Sequence, residues 1–276
     1  MSAFLHESAT RAGVKLRPVR NRGFRTELHH DTGASAVLLS PHPDDAVLDC
    51  WSVLTGPGSV QVVNVFAGVP APGARSHFER IAGARDSAAH MQRRIAEDRE
   101  ALARAGRSAV NLGFYCLSHR RGRVEPSFAR VDAALRAHVG RVSCVYAPAA
   151  LGAPHPDHDF VRAYALALTH QGVPVRLYAD APYCTVYGWP SWVTGDEPDP
   201  HLDVDAYWSA SDGGSHCTAA TAQVVRLAGP AAAAKLAAMR VYRAEFSVLD
   251  RGPIGQLSNP AIHGFEVFWP TPNGSG

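Results

Sequence analysis

Long apolar runs are missing from this chain. No stretch stays apolar for the ~18 residues that a membrane-spanning helix requires, and Met1 to Val19 lacks the apolar core of a secretory signal. A cytoplasmic protein with no membrane partner is expected. Cysteine is sparse: Cys50, Cys116, Cys144, Cys184 and Cys217 are an odd number without CxxC spacing, several of them inside apolar runs. That pattern reads as reduced, buried thiols rather than a disulfide framework or a thiolate zinc site. An excess of one charge is also absent. The formal net charge is +2, lysine is limited to Lys15 and Lys235, and the arginines are scattered along helical segments. Without a basic stripe there is no nucleic-acid track, and a small or uncharged partner is expected. No internal repeat and no flexible linker are visible.

The chain has 276 residues, 46% of them apolar and 19% charged, enough for one large α/β domain over 1–276. Residues 1–33 are polar and irregular. Ser35–Ser40 is the first short apolar run, followed by a proline-bounded turn and helix-like spacing from Ala46 to Leu54 that Gly56-Pro57-Gly58 stops. Val60–Phe66 reads as a second buried strand, ahead of a Gly- and Pro-rich loop over 68–73 of the kind that rims active sites. Helices are expected over 87–105, 131–139 and 160–170, and strands over 110–112, 142–147 and 175–179. This alternation points to a mainly parallel sheet covered by helices on both faces. The stretch 182–215, rich in Trp, Tyr, Pro, Gly and Asp, breaks the pattern and suits a small substrate-side insert or hairpin. Thr218–Tyr242 looks like one long helix interrupted near Gly229-Pro230, and the tail runs to Phe265–Trp269.

Two chemically similar segments, Ser40-Pro41-His42-Pro43-Asp44-Asp45 and Ala153-Pro154-His155-Pro156-Asp157-His158, each follow a strand. In an α/β protein that is where active-site loops lie. A catalytic zinc takes three His or carboxylate ligands and keeps one position open. His42 and Asp45, three residues apart, can point at one ion from a turn entering a helix, and His158 can complete the set from the second loop. Asp44 is then free to act as general base. His155 can stabilise an oxyanion, with Asp157 orienting its ring.

A lone Pro-Asp-Asp would usually be read as a helix cap. The second motif and a histidine held between two prolines reverse those odds. His29, His30, His90, His119, His170, His201 and His216 have no partner spacing and are expected mostly at the surface, with His263 as a candidate for the rim. Tyr183, Tyr187, Trp189 and Trp192 could stack on sugar faces or cap the insert. Arg75 reads as an exposed loop residue, and Asp49 as a solvent-facing or supporting one.

His42-Pro-Asp-Asp45 paired with His155-Pro-Asp-His158 resembles the LmbE-like (PIG-L) family of zinc-dependent N-acetylglucosamine deacetylases, whose fold is Rossmann-like. Val65–Gly68, Arg94–Glu97 and Ala147-Pro148 also resemble family positions, so the likeness covers most of the chain. It implies one Zn2+ on His42, Asp45 and His158, hydrolysis of an acetamide on an amino sugar, Asp44 as base and His155 as oxyanion partner. Ala46 stands where members that make bacterial thiols carry Glu. Pro41–Leu48 with Val175–Tyr183 is more similar to deacetylases of antibiotic sugars, so an aminoglycoside or glycopeptide-type intermediate is the expected substrate. Leu112-Gly-Phe114 runs into Tyr115-Cys-Leu-Ser118 without the acidic residue that some members place near the sugar.

The alternatives are an amidase for a thiol-sugar precursor or conjugate, a non-catalytic Rossmann-like ligand-binding protein, and a structural zinc protein. A nucleotide binder should carry GxGxxG at the first turn, where this chain has carboxylates that repel phosphate. A structural site normally closes with four ligands, often Cys, and neither motif contains one. The choice of Zn over Fe or Co, the source of the proton for the leaving amine, and assembly as a homo-oligomer stay open at this stage.

Overall fold

The computed structural model of the chain describes residues 24–120, 126–152, 154–211, 216–250 and 255–272. A seven-stranded sheet runs through these residues in the order β3-β2-β1-β4-β5-β7-β6. The strands are β1 (His30–Ser40), β2 (Val60–Asn64), β3 (Ala109–Asn111), β4 (Val142–Pro148), β5 (Val175–Tyr178), β6 (Gln223–Arg226) and β7 (Phe265–Pro270). The first five pair in parallel, while β7 and β6 close one edge antiparallel. After β3 the chain crosses back to the other side of β1, so β1 and β4 are neighbours whose outgoing loops diverge: the switch point where α/β sheets bind ligands. Leu38 lies opposite Tyr146, which brings both motif loops off the same sheet end.

Alternation along β1 supplies both faces of the sheet. Val37 and Leu39 enter one core cluster with the helices α5 (Phe128–Arg136) and α6 (Pro156–Thr169), through Val131, Leu135, Val161 and Leu168. Leu38 enters the other, with Val47 and Leu54 and with Leu102 of α4 (Ser87–Ala103). A strand buried on both sides needs an unbroken apolar run, which is why 35–40 was legible.

Three segments depart from their expected form. The helix expected over 46–54 is two short ones, α1 (Asp45–Asp49) and α2 (Trp51–Thr55), because the Trp51 and Ser52 N–H groups donate to the Glu266 carboxylate on β7 at 2.7 and 2.9 Å. The first half of the helix expected from Thr218 is strand β6, whose Val224 and Val225 pair with β7; helix α9 (Pro230–Met239) begins only at the proline, and α10 (Arg243–Leu249) follows. Val-Val beside a waiting sheet edge outweighs the alanine-rich composition around it. Within 182–211 the chain forms turns and two short helices, α7 (Ser191–Thr194) and α8 (Val204–Ala210), with no hairpin among the described residues. Trp189, Trp192 and Trp208 pack there on one another and on Trp269, so the insert's indoles are core.

The loop after β4 is pinned to the turn after β5. Gly152 has φ of +81°, and a Cβ there would run into the backbone of Tyr183 and Cys184. Gly152→Ala should therefore cost about 1–3 kcal/mol, the scale of overpacking a tight contact, measured as a lowered urea midpoint; an unchanged midpoint would show that the two loops are not held together there.

Candidate active site

Both motifs are buried where they meet. His42, Asp44, Asp45, Asp157 and His158 are all no more than 6% exposed. The ligand atoms of His42, Asp45 and His158 lie within 4.8 Å of one another, with His42 Nδ1 3.5 Å from Asp45 Oδ2 and His158 Nε2 3.6 Å from Asp45 Oδ1. His158 Nε2 is buried and has no hydrogen-bond partner among the described residues. In this setting an orphaned imidazole nitrogen beside a carboxylate is a seat for a divalent cation. The set left by the protein, two imidazoles and one carboxylate, is that of a catalytic zinc-type site.

The outer partners choose the nitrogens. His158 Nδ1 donates to Asp180 Oδ1 at 2.7 Å, leaving Nε2 as the lone pair. His42 Nε2 donates to Asp157 Oδ2 at 2.9 Å, leaving Nδ1 toward Asp45. His42 also groups with His155 and Asp157, but Asp157 is already committed: Leu117 N–H donates to Oδ2 at 3.0 Å and Arg120 Nη2 lies 2.6 Å from Oδ1. The first triad is thus the better seat. Asp157, expected to orient the His155 ring, meets that ring through its backbone and not through its carboxylate. At the first turn of α6 its carboxylate points across to His42, and only its backbone N–H meets His155, donating to Nδ1 at 3.3 Å.

Three carboxylates, Asp45, Asp157 and Asp180, surround these rings and make the pocket favour positive charge. Burial opposes protonation of His42, but Asp157 and Asp45 outweigh it and raise its pKa to about 10. Burial also opposes charge on Asp45, which His158 and His42 nevertheless hold down at about 2. His155 goes the other way: burial, with His158 and His42 adding repulsion, lowers it to about 3. It is a neutral imidazole at pH 7, and because Nδ1 accepts from the Asp157 N–H, the proton sits on Nε2 as a donor.

Asp44 stands outside the triad. Its Oδ2 accepts from Arg94 Nη2 at 2.9 Å, and burial pushes its pKa up against the pull of Arg94. Arg94 is in turn backed by Glu245 of α10, whose Oε1 lies 3.4 Å from Arg94 Nε and 2.8 Å from His90 Nε2. His90 and Arg94 lie one turn apart on the inner face of α4.

His90 is therefore buried and paired, contrary to the surface expectation. So is His119, whose side chain is 6% exposed with Nε2 2.9 Å from Glu79 Oε1 and Nδ1 3.1 Å from Cys116 Sγ. His263 is also buried, bonded to the Leu257 carbonyl at 3.1 Å. His29, His30, His170 and His201 are exposed, as is Arg75. Asp49 is buried and accepts from Ala181 N–H at 2.9 Å, a supporting role. Of the insert's aromatics, Tyr183 faces the site, its ring 5.4 Å from His155 and 5.0 Å from His158. The five cysteines are all unpaired.

Asp180, Arg120 and Glu245 escaped the sequence reading. Asp180 had a signal, an acid one residue past a strand end, but nothing in the chain links it to His158. Arg120 and Glu245 had none.

No protein-family model matches this chain, and no match is found among curated proteins. Solved structures do match. A deacetylase triple mutant of the teicoplanin biosynthetic pathway is 27% identical over 86% of this chain and 97% of its own, with a TM-score of 0.60. The deacetylase of A40926 pseudoaglycone, Dbv21, is 26% identical over 89% of this chain and 100% of its own, with a TM-score of 0.62. N,N'-diacetylchitobiose deacetylase from Pyrococcus horikoshii is 14% identical over 98% and 92%, with a TM-score of 0.53, and shares the fold.

Asp180→Asn should weaken zinc binding about 10–100-fold, the usual cost of losing a carboxylate behind a ligating histidine, in calorimetric titration of the metal-stripped protein; undiminished affinity would remove His158 from the ligand set. The His119–Glu79 pair sets a pH window. Burial opposes charge on both, yet Cys116 and Glu79 raise His119 to about 10, and His119 and Ser76 lower Glu79 to about 2. Stability from His119 is full below its unfolded value of 6.5 and fades as pH rises through about 10; that from Glu79 is full above 4.5 and fades as pH falls through about 2. His119→Gln should thus lower the denaturation midpoint most between pH 5 and 6.5 and converge on the parent near pH 10, and a pH-independent difference would exclude the ion pair.

Proposed function

We propose that this chain, which resembles the LmbE-like (PIG-L) deacetylases in its paired motifs and is similar to solved deacetylases, hydrolyses the acetamide of an N-acetylated amino sugar borne on a secondary-metabolite intermediate of the glycopeptide or aminoglycoside type. The observation that carries the reading is the convergence of His42, Asp45 and the orphaned His158 Nε2 beside an Asp44 that is not needed as a ligand. A divalent ion of the zinc type, held by His42, Asp45 and His158, supplies Lewis-acid activation of water and of the acyl carbonyl.

The protein does the rest. Arg94 fixes the Asp44 carboxylate, and burial raises its proton affinity, so Asp44 takes the proton of the attacking water. His155, neutral and carrying its proton on Nε2, donates to the oxygen on which charge develops. Asp44, holding the proton it has received, or His155 then protonates the departing amine. Asp157 and Asp180 keep the two ligating rings in the tautomers the seat needs.

The glycopeptide direction is supported by similarity to a deacetylase of the teicoplanin biosynthetic pathway and to the A40926 pseudoaglycone deacetylase, and by the motif style of Pro41–Leu48. A small N-acetylated sugar or glycoside is thus the partner. No helix among the described residues is long and apolar enough to cross a membrane. A cytoplasmic location belongs to the same reading, supported by five unpaired cysteines.

Amine release from a panel of N-acetylated sugars, from free N-acetylglucosamine to glycopeptide and aminoglycoside intermediates and a thiol precursor, tests it with zinc-loaded protein. Asp44→Asn should retain zinc and fold while losing about 10²–10⁴-fold in turnover, the range for a general base. Parental rates in that variant would sink the assignment.

A further inference from the structure

Tyr183 is the aromatic residue that the deacetylase mechanism above leaves unused, and its surroundings set it apart from the other tyrosines packed against the sheet. Tyr164, Tyr178 and Tyr242 each donate their hydroxyl to a fixed acceptor, Asp132 at 3.0 Å, the Leu39 carbonyl at 2.9 Å and Asp98 at 2.8 Å. No acceptor for the Tyr183 hydroxyl is found among the described residues, and the residue is only half-buried. Its ring stands at 67° to His158 and 59° to His155, with centroids 5.0 and 5.4 Å away, so it borders both the seat and the oxyanion donor.

The residue is rigidly placed. Cys184 N–H donates to the Asp180 carbonyl at 2.9 Å, Ala181 N–H to Asp49 Oδ1 at 2.9 Å, and Gly152 lies against the Tyr183 backbone. The same Asp180 orients His158, which ties the phenol's position to that of a ligand. A phenol is protonated, and so a hydrogen-bond donor, at neutral pH. A rigid, neutral, unspent O–H donor at the edge of an amide-hydrolysing site is suited to an oxygen that gains charge only during reaction.

We infer that the Tyr183 hydroxyl donates a hydrogen bond to the acyl carbonyl oxygen of the substrate and shares with His155 Nε2 the charge that grows there as water adds. This assignment rests on the deacetylase reading. It makes the 180–184 turn, which departs from the β5 end, a third contributor to the active site beside the two His-Pro-Asp motifs. It also gives the close approach of Gly152 a catalytic consequence, since that contact sets where the phenol stands.

The test is Tyr183→Phe, which keeps the ring against His155 and His158 and removes only the oxygen, assayed on the panel sugar that the parent turns over. The expected result is kcat lowered about 10²-fold, the scale of one lost oxyanion donor, with KM within about twofold and calorimetric zinc affinity unchanged. A methylphosphonamidate analogue of the tetrahedral species should bind the variant more weakly by about the same factor, because it presents the charged oxygen that the hydroxyl meets. Parental kcat in Tyr183→Phe, with Tyr183→Ala impaired, would reduce the residue to ring packing. A raised KM at parental kcat would make it a sugar contact, which equally overturns the proposal. If the zinc-loaded parent releases no amine from any sugar, the deacetylase reading itself falls and takes this assignment with it.

Discussion

Parallel pairing of β1 with β4 is the constraint on which the site depends. These strands are 102 residues apart from the end of one to the start of the next, counted from Ser40 to Val142, yet they lie side by side in the sheet. The pairing holds because Val37, Leu38 and Leu39 on one strand and Val142, Val145 and Ala147 on the other are fully buried. Apolar burial at roughly 25 cal/mol per Å² over such strands is a strong, non-directional force. The motif loops take advantage of it: each leaves the sheet at the same end, at the point where their connections diverge. Prolines 41, 43, 154 and 156 then limit the paths the loops can take, and Pro156 starts α6 with His155 at its cap.

Packing brings the loops together, and electrostatics makes that juxtaposition costly without a cation. Asp45, Asp157 and Asp180 are buried among His42 and His158, with Asp49 and Asp44 close by. Such a concentration of carboxylates is sustained by partners that are themselves buried. Arg120 stands against Asp157, and Arg94 against Asp44. The two arginines thus pair with carboxylates outside the His42–Asp45–His158 cluster, while Asp45 faces the two imidazoles.

A second layer of the same economy reaches the far end of the chain. Glu245 on α10 bridges His90 and Arg94 on α4, so the orientation of Asp44 depends on a helix that follows the antiparallel edge strand β6. Glu266 on β7 accepts from the Trp51 and Ser52 N–H groups at the start of α2 and pairs with Lys235 on α9. Buried ion pairs of this type do little for net stability but penalise any rearrangement that separates them. In this protein Glu245 holds the C-terminal segment against α4, and Glu266 holds it against the start of α2.

The sequence by itself determined the parallel core and which side chains the two motif loops bring together. Short two-sided apolar runs, glycine and proline stops, and a repeated His-Pro-Asp pattern are local signals, readable because each physical cause lies within a few residues of its effect. His42, Asp44, Asp45, His155 and His158 belong to that class. The interruption of the helix at Cys50 does not, because Glu266 that causes it is over two hundred residues away in the chain. Nor do strand β6, whose fate hangs on an open sheet edge, or the burial of His90 and His119 against acids from other elements. Only the tertiary structure decided that the Asp157 carboxylate meets His42, that Asp180 stands behind His158, and that Arg94 fixes Asp44, since hydrogen-bond partners are selected by proximity in space and the chain carries no record of it.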